Sequence, residues 1–455
     1  YHTYYEADQT NLIKSGQLFV GEHFNILLSY DFSFYIPDIS PNDTVFLIPN
    51  VITRSSASNT WTFKVNNSTI ATIQGGTVQF INTATYATDI VNKFGFITAN
   101  PSLNVNVSFS KPNSSAEGWL NYLSINAICR LKFNGGQLAF RNKKTEGPGN
   151  ITEFTLENAG SSVKVWDVTD SVRPRIIDVT YENQKIKFKV ATDSLREFVA
   201  FDGTSFLTPL AFSDVPNQNL HALNDIDMVI VTHPLFRSYA EELAQLHRDF
   251  DHLTVAVVEP ESVYNEFSSG MPDATAIRNL MRMLHDRAPD SASMPRYLLL
   301  LGDGSFNNKG NISGNTNFLP TYQSENSLTP TMSFVTDDFF GMLDTDEGGS
   351  KGYMDIGVGR FPVKNTTELS GIINKIKQYI SNRSYGDWKN VITYVADDED
   401  TNLHISQADA MSVKTDTVKP VFNIDKIYLD SYKQISTPNG ARYPDVNTAI
   451  NNRVN

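Results

Sequence analysis

The feature that most constrains this chain is a change of hydrophobic period near residue 210. Upstream, short runs alternate apolar and polar residues: Thr44 to Ile48, Trp61 to Val65, Asn104 to Phe109, Ser162 to Trp166 and Lys185 to Val190. A period of two buries one face of a strand. Turn clusters such as Asn134-Gly135-Gly136 and Gly147-Pro148-Gly149-Asn150 separate these runs. No long helical stripe interrupts them, so residues 1–210 read as an all-β region of one or two sandwich or barrel domains.

From about Gln218 the pattern becomes strand and helix in alternation. Continuous apolar runs predict buried strands over Asp227 to Thr232, Leu253 to Val258, Arg296 to Leu301, Asp355 to Phe361, Val391 to Ala396 and Ile424 to Leu429. Between them, Phe236, Tyr239, Leu243, Leu246 and Phe250 form one helical stripe, and Ile277, Leu280, Met281 and Leu284 another, capped by Asp273. Asn365 to Glu368 reads as a capping box for a helix running to Ile380, and further helices are expected over His404 to Val418 and Asp445 to Asn452. Such alternation implies a mostly parallel α/β sheet over residues 211–455. Sites in such sheets lie at the carboxyl ends of strands, which points to His233, Asp303, Asp337 with Asp338, and Asp397 with Asp398.

Composition narrows the function. The 37 basic and 50 acidic residues leave a formal charge of −13, which argues against nonspecific binding to nucleic acid or to an anionic membrane surface. The single cysteine, Cys129, excludes an intrachain disulfide and a Cys-based zinc site. No apolar run approaches the ~20 residues of a membrane-spanning helix. The chain opens at Tyr1 without a signal-peptide pattern, and its start reads as internal.

Three acidic clusters could carry chemistry. Gly302-Asp303-Gly304 follows a strand, but without a Lys-Ser/Thr pair it is no phosphate loop, and an Asp bonded to its own turn fits equally. Asp337 and Asp338 precede Asp344, Asp346 and Glu347. This set suits either calcium, as a structural ion, or a solvated acidic loop. Asp397-Asp398-Glu399-Asp400 ends a strand, where a carboxylate can orient a catalytic histidine or simply flank a helix N-terminus. His233, His247, His252 and His285 lack metal spacing, and no Gly-x-Ser-x-Gly elbow is present.

Taken in order, Gln218 to His221, Asp227 to Pro234, Val263 to Gly270, Arg296 to Gly304, Phe334 to Gly341 and Asp355 to Pro362 resemble the gingipain family of cysteine peptidases. Within it they resemble the type IX secretion sortase (PorU-type) branch, as do Gly118 to Tyr122 and Val165 to Thr169 in the β region. The resemblance implies a caspase-like α/β fold and thiolate attack on a scissile carbonyl, with resolution by water or an amine. It implies a signal peptidase that removes C-terminal signal domains from secreted proteins at the bacterial cell surface, associated with the outer membrane. The partners it implies are those signal domains, an outer-membrane barrel protein and lipopolysaccharide as acceptor. No cofactor is required. Of the site residues, it carries over the carboxylate that supports the catalytic histidine, to Asp398 first and Asp397 next. The S1 pocket is expected near His404 to Asp409. No Gly-His-Gly occurs and Cys129 lies far upstream, so the chain is expected to be an incomplete peptidase lacking nucleophile and base. The alternative is a catalytically dead module that binds signal domains or an outer-membrane partner.

Overall fold

The computed structural model describes residues 1–209, 214–310, 313–349, 351–381, 386–438 and 440–454. The expected boundary at 210/211 lies outside the described residues, as does Asn455. The chain divides into two compact units, Tyr1–Thr366 and Thr367–Asn455.

The first unit opens with a β-sandwich. One sheet runs His2–Glu6, Glu117–Asn126, Val45–Arg54, Thr88–Val91, with His23–Phe24 and Phe94–Phe96 at its margins. The other runs Ser29–Tyr35, Ser102–Ser110, Thr60–Val65, Ser68–Gln74, antiparallel throughout. Their inner faces supply Phe24, Leu47, Trp61, Phe63, Val105 and Leu123 to a shared core. Trp61 is fully buried, and its indole N–H donates to Thr53 Oγ1 at 2.8 Å, which satisfies its one polar atom.

A second, smaller sandwich follows. Its four-stranded sheet runs Gln137–Arg141, Glu197–Phe201, Lys164–Asp167, Arg175–Ile177; its three-stranded sheet runs Ile151–Glu157, Lys185–Ala191, Thr180–Glu182. Phe154, Phe188 and Phe198 meet between them with ring centroids 5.1–5.3 Å apart. The β region is thus two sandwiches, with no α-helix among its described residues.

Still within the first unit, four parallel strands stand in the order Val255–Val258, Met228–Thr232, Tyr297–Leu301, Gly357–Phe361. Every residue of Met228–Thr232 is buried, as a central strand covered on both faces requires. The helix Ala274–Arg287 buries the expected stripe, and Asp273 accepts from Thr275 N at 2.8 Å as its cap. The helix Arg237–Phe250 departs from expectation at its end: Phe250 is exposed, and Ala240 and Ala244 join Leu243 on the buried face. The short helix Pro260–Phe267 has no stripe long enough to announce it.

The two halves of this unit are stitched by the segment around Gly16. Gly16 N donates to Gln323 Oε1 at 3.1 Å, Gln17 N to Ser324 O at 3.1 Å, and Leu18 N to Ser327 Oγ at 3.0 Å. Gly16 sits at φ +80°, and a Cβ there would stand 2.3 Å from Ser327 Oγ, so only glycine fits.

The second unit holds the helix Thr366–Ile380 almost whole, then two parallel strands, Val391–Ala396 and Asn423–Tyr428, joined by the helix Glu399–Val418. The helix Pro444–Val454 follows. Among the described residues no helix is long and apolar enough to cross a membrane.

Candidate active-site elements

In the first unit the chain runs from the central strand Met228–Thr232 to Val255–Val258 on one side, then to Tyr297–Leu301 on the other. This reversal leaves a crevice outside the carboxyl ends of the strands. A cleft of about 610 Å³ lies there. Tyr264, Phe306, Phe318 and Phe339 line it, and Gly16, Gln17 and Phe19 form its far wall. Burial pushes the Tyr264 hydroxyl up to about 12, so it is a neutral donor at neutral pH.

Beside the cleft, Arg360 ties two of the acidic clusters together. Its Nε and Nη2 grip both oxygens of Asp337 at 2.7 and 2.8 Å. Nη1 donates to Gly302 O at 3.1 Å and Nη2 to Pro320 O at 2.9 Å. The side chain is only 10% exposed. Asp337 is therefore the carboxylate partner of the buried guanidinium. Asp303 accepts from Thr316 Oγ1 at 2.6 Å, and its backbone carbonyl caps Phe318 and Leu319, which is the turn-stabilising role. His233 caps the turn Pro234–Phe236 through Nδ1 and leans on the Phe318 ring, and burial lowers its pKa.

The five acidic residues considered for calcium are not gathered. Asp338, Asp344 and Asp346 are exposed, and Asp337 is held by Arg360. The carbonyls of Met342, Asp344 and Glu347, which a cation would want, are taken by the buried guanidinium of Arg278. Glu347 Oε1 accepts from Tyr353 N at 2.9 Å, and its Oε2 is buried with no hydrogen-bond partner. Among the described residues no three His, Cys, Asp or Glu side chains stand together as a metal site would require.

In the second unit, Asp397 and Asp398 follow the carboxyl end of Val391–Ala396, beside Asp430 at the end of the adjacent parallel strand. Asp397 is exposed. Asp398 accepts from the Tyr443 hydroxyl, which Gln434 Nε2 also approaches at 3.0 Å. That bond to a carboxylate is the chief reason the Tyr443 hydroxyl rises to about 12. The next residues are strained: Asp400, Thr401 and Asn402 all lie at φ between 52° and 62°. His404 Nε2 pairs with Asp400 at 3.5 Å, and Asp409 with Lys426 at 2.6 Å.

Three partners carried no readable signal. Arg360 stands in the Asp355 to Pro362 stretch that resembles the family, and nothing in its sequence context marks its role. Tyr443 and Arg278 lie far along the chain from the acids and carbonyls they hold. Cys129, the only thiol, is half-buried in the β region, and burial raises its pKa, the reverse of what activates a nucleophile.

Two β-sandwiches followed by a parallel α/β sheet is also the architecture of latent dimeric PorU from Porphyromonas gingivalis. That structure matches with a TM-score of 0.75 and 24% identity, covering 85% of this chain and 38% of its own. A second structure, of a protease, overlaps 39% of this chain and 33% of its own at a TM-score of 0.28 and 13% identity. No curated protein sequence matches. The profile of peptidase family C25, the gingipain family of cysteine peptidases, matches residues 221–455. The chain belongs to this family. It spans less than half the length of the PorU chain whose fold it shares.

Proposed function

We propose that these 455 residues belong to a type IX secretion signal peptidase, with residues 1–210 as its β region and 211–455 within its peptidase domain. The enzyme acts at the bacterial outer membrane beside a barrel partner. It cleaves C-terminal signal domains from secreted proteins and passes the acyl group to water or to an amine, lipopolysaccharide being the amine donor. No metal is needed for this chemistry. The observation that carries the reading is membership of a cysteine-peptidase family, with Asp398 at the carboxyl end of a parallel strand. In this reading Asp398 is a positioning residue: it orients the catalytic histidine and stabilises the imidazolium. The family's thiol must come from outside the α/β residues present, because these contain no cysteine.

The test uses the full-length protein and a peptide spanning a signal-domain junction. Asp398→Asn is expected to lower kcat by about 100-fold or more, and to lower the apparent pKa on the acid limb of the pH profile, because the imidazolium loses its carboxylate. Asp397→Asn should change little. Unaltered kcat and pH profile in Asp398→Asn would remove this assignment. Tight signal-domain binding with no cleavage by the full protein would favour the second reading, a binding module.

A further inference from the structure

The second sandwich differs in charge from the rest of the molecule. Residues 130–201 hold twelve Lys and Arg against nine Asp and Glu, although the whole chain carries −13. Its two outer faces also differ. On the three-stranded sheet Lys185, Lys187 and Lys189 pair with Glu157, Glu182 and Glu153, an ordinary solvated ladder. On the four-stranded sheet the ladder register places Ala139, Val199, Trp166 and Ile176 side by side across all four strands, on the outward face. The loop joining the last two strands continues this surface as Val172-Arg173-Pro174-Arg175-Ile176, every residue exposed. Val172 is 84% exposed, Ile176 65% and Trp166 40%. Lys164, Arg173 and Arg175 have no carboxylate partner among the described residues.

We propose that this face and loop seat the protein on an anionic lipid surface. Branched aliphatics at the tip, a tryptophan set back from them and unpaired cations around them match the layers of a membrane interface. The width of the apolar row decides against a protein partner. Three strand spacings of ~4.8 Å make it about 14 Å long and a single residue wide. A standard protein interface needs about 800 Å² on each partner. Shallow insertion into headgroups needs only a few side chains, with cations adding about fivefold each to partitioning. The global negative charge does not oppose this contact, since charges more than about 8 Å away are screened at physiological salt.

The experiment is co-sedimentation of the full-length protein with vesicles of phosphatidylcholine alone, or mixed two to one with phosphatidylglycerol. The wild type should partition onto the mixed vesicles and release as salt rises. The triple variant Lys164→Gln, Arg173→Gln, Arg175→Gln should lose about 100-fold in partitioning. All three are surface positions, and an unchanged circular-dichroism melt of the variant shows it is folded. Tryptophan emission should shift to the blue on binding in the wild type and not in Trp166→Phe. Equal partitioning of wild type and triple variant, or no partitioning of the wild type, overturns the proposal. So does a Trp166→Ser variant that keeps its lipid binding but changes its mass in solution, which would assign the face to a second copy of the chain.

Discussion

At the scale of residues, the molecule rests on a few side chains that each gather several partners. Arg360 is the clearest. Its planar fork satisfies Asp337 and reaches carbonyls on two other loops. Arg360→Met leaves Asp337 without its charge partner, and should cost about 3 kcal/mol in chemical unfolding. Arg360→Lys should recover little, because an ammonium cannot grip two oxygens and two carbonyls in one plane; a lysine variant of wild-type stability would contradict the hub. Glu266 is a second gatherer. It accepts from Leu220 N, His221 N, Gln218 and the His221 ring. Burial acts to raise its pKa, but these donors outweigh it and hold the carboxyl down at about 2, against 4.5 for the free group. A depressed folded value means the stabilisation is present above pH 4.5 and is lost as pH falls from there toward 2. Its size is about 3 kcal/mol. The difference in unfolding free energy between wild type and Glu266→Gln should therefore shrink over that window. A difference that stays constant from pH 6 down to about 2 would show that these bonds do not stabilise the charged form.

At the scale of elements, the periodicity was a good guide to which segments pair, and weaker at their ends. The six parallel strands of the α/β region fall within two residues of the apolar runs that announce them, because a central strand must be apolar along its whole length. The helix Arg237–Phe250 shows the limit: Phe250 has the right spacing for the stripe, yet the helix ends there and its ring faces solvent. The segment after Asp398 shows another. A helix was legible from His404 onward, and regular helical geometry does begin only after Asn402. The left-handed turn before it was not legible, because Asp and Asn tolerate that conformation but Thr401, at φ 58°, does not favour it. Strain held next to a candidate site is worth testing for function. Thr401→Gly removes the Cβ clash and should stabilise the chain by about 1 kcal/mol after the glycine's extra chain entropy is deducted. If the strain positions Asp398, the same change should lower kcat of the full-length protein while KM holds. A destabilised Thr401→Gly would show that the turn is not strained.

At the scale of the whole molecule, the sequence showed which kinds of layer the chain builds but not how distant segments meet. Asp398 and Tyr443 are 45 positions apart, and Gly16 and Gln323 are 307 apart. Local pattern carries no information on such pairings, since any polar residue of suitable length could have served. The charge balance misleads in a related way: a total of −13 conceals a small sandwich with an excess of cations, because a sum over the chain discards position. The Gly16 stitch is where this long-range order can be probed. Its φ of +80° excludes a side chain without strain, and the Ser327 hydroxyl and Asn326 carbonyl close off the space a Cβ would need. Gly16→Ala should therefore push the Gly16 to Leu18 segment off the Gln323 to Ser327 turn, at a cost of about 2 kcal/mol. The core of the first sandwich, built around Trp61 and Phe63, lies in other strands and should keep its protection. Hydrogen exchange separates the two outcomes: amides of residues 323–328 should exchange faster in Gly16→Ala while those of Thr60–Val65 do not change. Equal acceleration in both would mean that the sandwich and the α/β sheet unfold as one cooperative body and that the stitch is not a separable joint.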